Sequence, residues 1–222
     1  MLICTSIIAR EREEMKNKVK RALDLGSDLV ELRIDYLKDF NPFNIEDFAD
    51  RCIITCRAKN EGGLFDGKEE ERKRILEDWS KRKPRYMDLE LSLVEKDKGL
   101  LKRVEEQGVI PIISWHKFDE TPELGVLLKI LEKASFYRGI VKIVTLSKGI
   151  KDNITIFKLY KYSEKGRLVA FCMGEEGRIS RILCLTLSSP FTYASLPNEA
   201  TAPGQFDLPT MKEIRDALKN QF

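Results

Sequence analysis

The chain has 222 residues, 42% of them hydrophobic, which is enough to bury a sizeable core and predicts one domain spanning residues 1–222. Its 39 basic and 36 acidic residues leave a net charge of +3, so charge gives no reason to expect a nucleic acid or a membrane as partner. The apolar runs are shorter than the ~20 residues that span a bilayer, and the first residues lack the pattern of a secretion signal. We therefore expect a cytoplasmic protein.

Eight segments have the short apolar runs or the period-2 alternation that are typical of β-strands. They are Leu2–Ile8, Leu29–Ile34, Cys52–Cys56, Tyr86–Leu91, Val109–Trp115, Ile140–Leu146, Leu168–Cys172 and Tyr193–Leu196. Successive segments are separated by about the length of one strand-plus-helix unit.

Amphipathic stripes between the strands predict helices. The first stripe runs from Met15 to Leu23 and ends before Gly26. Another follows Thr121-Pro122-Glu123, in which we expect the threonine to cap a helix whose first residue is the proline. Further stripes lie in Leu93–Val104, Ile150–Phe157, Ile179–Leu185 and Met211–Leu218.

This alternation of strands and helices, in little more than 200 residues, favours a (β/α)8 barrel. A doubly wound open sheet is the alternative fold. It often has a glycine-rich first turn, and Thr5–Glu11 contains no glycine.

The five cysteines all lie within apolar runs. This placement predicts reduced thiols in the core rather than disulfides or metal ligands. With a single histidine in the chain, no spacing typical of a metal site is present in the sequence, and we expect no metal.

Charged residues occupy alternate positions in the strands. In the second strand Val30 and Leu32 have the parity of the helix-facing side, which places Glu31, Arg33 and Asp35 inside the barrel. The same rule directs further polar side chains into one cavity: Thr55, Arg57, Asp88, Glu90, Ser114, His116 and Lys142. Most lie near the carboxyl ends of strands, where barrel enzymes have their active sites. For Asp35, Asp88 and Glu90 a purely structural ion-pair network is an equal alternative.

Lys142 interrupts the apolar run Gly139–Leu146. Burial disfavours the ammonium form, and a neutral amine is a nucleophile for a carbonyl group. The alternative is a lysine at a strand edge that extends to solvent.

His116, at the end of the fifth strand, is the residue best suited to transfer protons near neutral pH, although a lone histidine can also be structural.

Three loops carry further candidate residues. Glu61-Gly62-Gly63 follows the third strand, and Arg181 lies in the first turns of the helix after strand seven, where an anion is favoured. The segment Pro197–Leu208, with two prolines and a glycine, has the composition of a lid.

In chain order these motifs resemble the type I 3-dehydroquinate dehydratase family in its short, archaeal-like form. The resemblance rests on Glu31-Leu-Arg33-x-Asp35, Thr55-Cys-Arg57 with Glu61-Gly-Gly, Asp88-Leu-Glu90, Ser114-Trp-His116, Val141-Lys142-Ile143, Met173-Gly174 with Ser180-Arg181, and Ala202-Pro-Gly-Gln205. It implies a (β/α)8 barrel that uses no cofactor, tends to form homodimers, and dehydrates 3-dehydroquinate to 3-dehydroshikimate through a Schiff base.

The resemblance also implies individual roles. Lys142 forms the imine with the substrate ketone, His116 moves protons, and Glu61 orients the histidine. The implied substrate-binding residues are Glu31, Arg33, Arg57, Arg181, Thr201 and Gln205. Thr201 stands where family members often carry serine, and its hydroxyl can make the same hydrogen bond.

Two other functions fit parts of the pattern. A class I aldolase would also use a lysine on strand six, but it needs a phosphate cradle, whereas the loops after strands seven and eight suit a carboxylate and hydroxyls. A non-catalytic binder of a small acid would retain the pocket without the reaction.

Overall fold

A computed structural model describes residues 1–219 and contains, within that range, eight parallel β-strands. They are β1 (Leu2–Ile7), β2 (Leu29–Arg33), β3 (Cys52–Thr55), β4 (Tyr86–Glu90), β5 (Ile110–His116), β6 (Ile140–Leu146), β7 (Leu168–Met173) and β8 (Phe191–Ser195). Each strand from β1 to β6 pairs with the next one in sequence, and β8 pairs with β1. This order curves the sheet into a nearly closed barrel with β7 and β8 at its two edges, which confirms the predicted (β/α)8 fold and excludes the doubly wound sheet. Residues 220–222 of the predicted domain lie outside the described range.

The described helices surround the strands. They are α1 (Arg12–Asp24), α2 (Glu69–Ser80), α3 (Leu91–Lys96), α4 (Lys98–Glu106), α5 (Leu124–Ser135), α6 (Ile150–Leu159), α7 (Arg178–Thr186) and α8 (Leu208–Lys219). The connection from β2 to β3 contains two short 3-10 turns, Ile34–Tyr36 and Glu46–Arg51, in place of an α-helix. No helix within residues 1–219 has both the length and the apolar character needed to cross a bilayer.

Helix α2 had no counterpart among the predicted stripes. One of its core-facing positions is occupied by Arg72, which is buried and donates to Glu90 (2.8 Å) and to the carbonyl of Cys56 (3.0 Å). A charged residue on the buried face weakens the apolar period that sequence analysis relies on.

Two predicted helix boundaries are wrong. The stripe Leu93–Val104 is divided into α3 and α4 at Asp97, whose carboxylate accepts a hydrogen bond from the Leu100 amide and caps the second helix. Helix α5 begins at Leu124 rather than at Pro122, the expected first residue. The Thr121 hydroxyl does not cap it, and instead lies 2.8 Å from the Leu146 carbonyl.

The apolar core has two layers, one on each face of the strands. The outer layer, between strands and helices, includes Val30, Leu32 and Ile54. The interior layer fills the barrel with residues such as Ile53, Tyr86 and Ile112. The five cysteines are buried and free. Because apolar side chains fill the lower barrel, the polar inward-facing residues can gather only at the carboxyl ends of the strands.

Candidate active site

One cavity at the carboxyl ends of the strands is lined by every residue to which the resemblance assigns a catalytic or binding role. The three predicted catalytic residues, Glu61, His116 and Lys142, line it. So do the predicted substrate-binding residues Glu31, Arg33, Arg57, Arg181, Thr201 and Gln205. These side chains come from strands, from the loop after β3, from α7 and from the segment after β8, so the barrel brings together residues far apart in the chain.

Lys142 lies on β6 and is buried. Its Nζ donates to Asp88 (3.0 Å) and lies 3.5 Å from Glu31. The predicted burial of this amine is confirmed, and the two carboxylates beside it oppose the effect of burial on the ammonium form. Lys142 acts as a nucleophile only with an unprotonated amine.

Asp88 is the centre of a buried network beneath the cavity. Its Oδ1 accepts hydrogen bonds from Arg57 (2.7 Å) and from the Ser114 hydroxyl (2.6 Å), while its Oδ2 accepts one from Lys142. Burial raises the pKa of this carboxyl, but Arg57 and Lys142 outweigh burial and lower it well below the usual range. Asp88 is thus ionised, and it aligns two of the cationic residues of the site.

His116 lies at the end of β5 with its side chain 8% exposed, beyond Ser114, which lies opposite Lys142 in register. Burial lowers the pKa of His116 well below its ordinary value, and the positive charges of Arg57 and Lys142 lower it further. The imidazole is therefore neutral near pH 7 and able to accept a proton.

Glu61 is the carboxylate nearest the imidazole, with Oε2 3.5 Å from Nδ1 of His116. Burial raises the pKa of Glu61 to about 7, and the negative charge of Glu90 acts in the same direction while Arg57 opposes it. Nδ1 of His116 makes no hydrogen bond among the described residues, so Glu61 orients the imidazole only if the two groups move closer together. The protonation of Glu61 changes close to physiological pH.

Glu31 is held by hydroxyl groups from the two strands next to β2. Ser6 donates to its Oε2 (2.7 Å) and Thr55 to its Oε1 (2.8 Å). Burial raises the pKa of Glu31, but Lys142 and Arg33 outweigh this effect and lower it. An ionised carboxylate therefore lines the cavity beside the amine, where it can accept hydrogen bonds from substrate hydroxyls.

Asp35 and Glu90 do not line the cavity, contrary to the expectation from strand parity, and neither do Asp88 and Ser114 of the network beneath it. Strand β2 ends at Arg33, and Asp35 lies in the following 3-10 turn, where it makes a two-point ion pair with Arg33 (2.9 and 2.8 Å). Glu90 pairs with Arg72 and accepts from the Ala58 amide (2.9 Å). Both carboxylates therefore have structural partners, the alternative that the sequence left open.

Arg181 differs from the other cations of the site because it makes no ion pair with a carboxylate of residues 1–219. The residue is 1% exposed, and its Nε has no hydrogen-bond partner among the described residues. Burial lowers the pKa of Arg181 to about 10, which still leaves it protonated at neutral pH. A buried guanidinium without an anion is costly, so this group is suited to bind an anionic ligand.

The segment after β8 covers the cavity through Thr201 and Gln205. The Gln205 side-chain oxygen accepts from the amide (2.8 Å) and the hydroxyl (2.9 Å) of Thr201. The segment approaches the end of β7 at Gly204, whose φ is +72° and where a Cβ would lie 2.1 Å from the Gly174 carbonyl oxygen. Only glycine permits this close approach, which keeps the segment over the cavity.

Sequence analysis missed several residues that line the cavity. Tyr193 lies on β8 with its ring centroid 4.4 Å from Nζ of Lys142, and Phe118 stacks on the His116 ring at 5.8 Å. Ser6, Phe171 and Met173 also line the cavity. Strand parity places Ser6 and Tyr193 inside the barrel, but neither carries a charge to draw attention to it. Phe118 lies beyond its strand, where parity no longer applies.

Comparisons with known proteins agree with this geometry. Residues 3–221 match the family model of Type I 3-dehydroquinase. The chain belongs to this family. Among curated type I 3-dehydroquinase relatives, it is 40% identical over 220 residues to the 3-dehydroquinate dehydratase of Pyrococcus abyssi, covering 98% of this chain and 97% of that protein. It is 38% identical over 217 residues to the enzyme of that name from Methanococcus maripaludis strain S2, covering 96% and 98%.

Solved structures give the same result for the fold of this type I 3-dehydroquinase. The 3-dehydroquinate dehydratase of Aquifex aeolicus superimposes with a TM-score of 0.80 at 28% identity, covering 98% of each chain. That of Geobacillus kaustophilus gives 0.87 at 22% identity, covering 99% of this chain and 91% of that one. In the part of the chain that the structure describes, no three His, Cys, Asp or Glu side chains are grouped as metal ligands would be.

Proposed function

We propose that this type I 3-dehydroquinase removes water from 3-dehydroquinate to give 3-dehydroshikimate, through an imine between Lys142 and the substrate ketone. One observation carries the proposal: a buried amine, the sole imidazole and a guanidinium with unneutralised charge line the same cavity. A ketone, an acidic C–H bond and a carboxylate in one substrate match these three groups.

Imine formation begins with loss of a proton from the Lys142 ammonium. His116 is suited to accept that proton because its imidazole is neutral. The free amine then adds to the ketone carbon, and the resulting carbinolamine loses water once its hydroxyl is protonated by the imidazolium. The product is a protonated imine, with Glu31 and Asp88 close enough to stabilise its positive charge.

Elimination follows from the chemistry of the protonated imine. Its carbon withdraws electrons and acidifies the adjacent C–H bond, so the neutral His116 can remove that proton and leave an enamine. The electron pair of the enamine then expels the β-hydroxyl, which takes a proton and departs as water. Hydrolysis of the remaining imine releases the product and restores the amine. The imine supplies the electron sink, so the scheme needs no cofactor or metal.

The other cavity residues have proposed binding roles. Arg181 pairs with the substrate carboxylate and thereby neutralises its own buried charge. Glu31, Arg33 and Arg57 hydrogen-bond to the hydroxyl groups. Thr201 and Gln205 close over the substrate as part of the lid Pro197–Leu208, and Glu61 orients His116.

The experiment measures the rise in enone absorbance when purified protein is mixed with 3-dehydroquinate. Wild type is expected to turn over, whereas Lys142→Ala is expected to lose at least ~10³-fold in kcat because it cannot form the imine. Lys73→Ala, which removes a lysine on the outside of the barrel, is the matched control. Strong residual activity of Lys142→Ala would contradict the covalent mechanism.

Borohydride separates the remaining possibilities. Reduction in the presence of 3-dehydroquinate is expected to add the mass of the reduced substrate to a peptide containing Lys142, and to add nothing in the Lys142→Ala protein. A non-catalytic binder would bind the ligand without any adduct. An aldolase would be trapped by a phosphorylated sugar rather than by 3-dehydroquinate.

We further propose that residues 1–222 act as one cytoplasmic domain and assemble as a homodimer. Exposed apolar side chains on the outer helices support the assembly, among them Val126 on α5 and Ile150 and Ile154 on α6. Light scattering is expected to give twice the chain mass of 25.7 kDa. Ile150→Lys would lower that mass if α6 lies in the interface.

A further inference from the structure

The wall of the barrel is hydrogen-bonded between all neighbouring strands except one pair. The described ladder runs from β7 through β1 to β8, and no backbone pairing within residues 1–219 joins β7 to β8. The Gly166 amide donates to the Ser188 carbonyl (3.0 Å) before both strands begin, and the Gly174 amide donates to the Pro203 carbonyl (3.2 Å) after both end. Backbone hydrogen bonds therefore close the gap at both ends of the two strands.

Side-chain hydroxyls occupy the edge of β7 that faces the gap. The Tyr160 hydroxyl lies 2.9 Å from both the amide and the carbonyl of Ala170, accepting from one and donating to the other. The Ser180 hydroxyl accepts from the Cys172 amide (2.7 Å) and donates to the Gly177 carbonyl (2.6 Å). Buried backbone groups require partners. These two hydroxyls supply the hydrogen bonds that β8 would make in a fully paired wall.

The two ends of Arg181 lie on opposite sides of the wall at this gap. Its carbonyl accepts from the Thr192 hydroxyl on β8 (2.7 Å), which places its backbone in α7 on the outside of the barrel. Its guanidinium carbon lies 4.5 Å from the ring centroid of Phe171 on β7, a ring that belongs to the interior layer. The side chain therefore starts outside the wall next to one strand and ends inside it against the other.

A paired wall would not permit this path. Hydrogen-bonded strands lie about 4.8 Å apart, and the space between them is filled by N–H and C=O groups. An arginine can cross only where the strands are unpaired, and buried strands remain unpaired only where other groups satisfy their backbone.

We propose that Tyr160 and Ser180 are positioning residues for Arg181, because their hydroxyls hold open the gap through which it reaches a substrate carboxylate. The carboxylate as ligand rests on the proposed function. The gap and the path of the side chain do not depend on it.

The test compares Ser180→Ala and Tyr160→Phe with Ser27→Ala. Ser27 is also a buried serine whose hydroxyl donates to a strand carbonyl, that of Leu29 (2.7 Å), but it lies beside the paired strands β1 and β2. We expect both gap variants to raise KM for 3-dehydroquinate about 10-fold while kcat changes less than about 3-fold, and the Ser27 variant to change neither. A fall in kcat at unchanged KM would overturn the proposal.

A double-mutant cycle provides a readout that a general packing defect would not reproduce. Calorimetry measures the Kd of 3-dehydroshikimate for Ser180→Ala and Tyr160→Phe, each with Arg181 present and with Arg181→Ala. We expect at least a 5-fold weakening with the arginine and less than 2-fold without it. Equal weakening in both backgrounds would mean that the hydroxyls support the fold alone, and the proposal would be wrong.

A third measurement separates this inference from the proposed function. Crystal structures of Ser180→Ala and Tyr160→Phe are expected to show new β7–β8 backbone pairing or an Arg181 side chain displaced from the interior. An unchanged gap and arginine in both would overturn the inference even if the enzyme is active. Absence of turnover by wild type would instead reject the proposed function and leave this readout valid.

Discussion

Nζ of Lys142 lies 3.0 Å from Oδ2 of Asp88, across the intervening strand β5. Asp88 also accepts from Arg57 at 2.7 Å, so one buried carboxylate pairs with two buried cations. The amine that the proposed reaction requires as a nucleophile therefore shares a counter-charge with Arg57.

Asp88→Asn is expected to destabilise the fold by about 3 kcal/mol, because it leaves Arg57 and Lys142 without their shared counter-charge. With less stabilisation of the ammonium, borohydride trapping on Lys142 should extend to lower pH than in wild type. Chemical unfolding and the pH dependence of trapping measure the two effects. Asp97→Asn, at a half-buried helix cap outside the cavity, is the control and should leave trapping unchanged. An Asp88 variant with wild-type stability would contradict the network.

The pH dependence of activity should follow Glu61, whose pKa burial raises to about 7. Below that pH the carboxyl is protonated and can no longer orient His116, so kcat/KM is expected to fall as the pH falls through about 7. Glu61→Gln should lower kcat about 10-fold and remove this limb of the profile. If kcat/KM of Glu61→Gln still falls at the same pH, another group causes that fall.

Glu61 should also make stability depend on pH. The direction is opposite to that of a salt-bridged carboxylate, which makes stability increase as the pH rises. Between pH 4.5 and about 7 folded Glu61 keeps a proton that the unfolded chain has released. The native state therefore binds more protons, and the free energy of unfolding decreases as the pH rises through this window. Relative to Glu61→Gln, wild type is expected to lose up to about 3 kcal/mol between pH 4 and 8. A constant difference would refute the raised pKa.

Tyr193 places its ring against the Lys142 amine, while its own hydroxyl is buried without a hydrogen-bond partner among the described residues. Tyr193→Phe keeps the ring and removes an unsatisfied polar group, so we expect about 1 kcal/mol of added stability and activity within 2-fold of wild type. Tyr193→Leu removes the cation–π contact and should reduce kcat about 10-fold. Thermal unfolding and the enone assay distinguish these outcomes. Equal activities of the two variants would dismiss a role for the ring.

Arg181→Met should raise the free energy of unfolding and weaken substrate binding. The substitution removes a buried charge that has no counter-ion and leaves an apolar side chain of similar length, so unfolding should cost about 1–3 kcal/mol more. KM for 3-dehydroquinate should rise at least 10-fold, since the carboxylate loses its partner. Arg33→Met is the informative comparison, because Arg33 has a counter-ion in Asp35 and its loss should destabilise. A destabilised Arg181→Met would mean that the guanidinium has a partner in the fold.

Much of the site could be predicted because side-chain alternation is a local property of a strand. Glu31 and Lys142 interrupt apolar runs with the parity of the barrel interior, and both line the cavity. Parity failed where the strand ended. Asp35 has the same parity as Glu31, but β2 stops at Arg33, and the next residues turn away from the cavity.

The missed helix α2 and the missed Tyr193 have a common origin. Arg72 is a core residue only because Glu90 on β4 reaches it, and Tyr193 is a site residue only because β6 places Lys142 beneath its ring. The residues adjacent in sequence do not indicate either contact.

The sequence alone determined the barrel, the inward direction of its charged residues and the location of His116 at the end of a strand. These features follow from the periodicity of strands and helices, which is a local property of the sequence. The tertiary structure alone decided which carboxylates lie beside Lys142, the lack of a counter-ion for Arg181 within residues 1–219, and the position of Arg181 at the gap between β7 and β8. Those properties depend on distances between residues far apart in the chain, and electrostatic energies change with each ångström of separation.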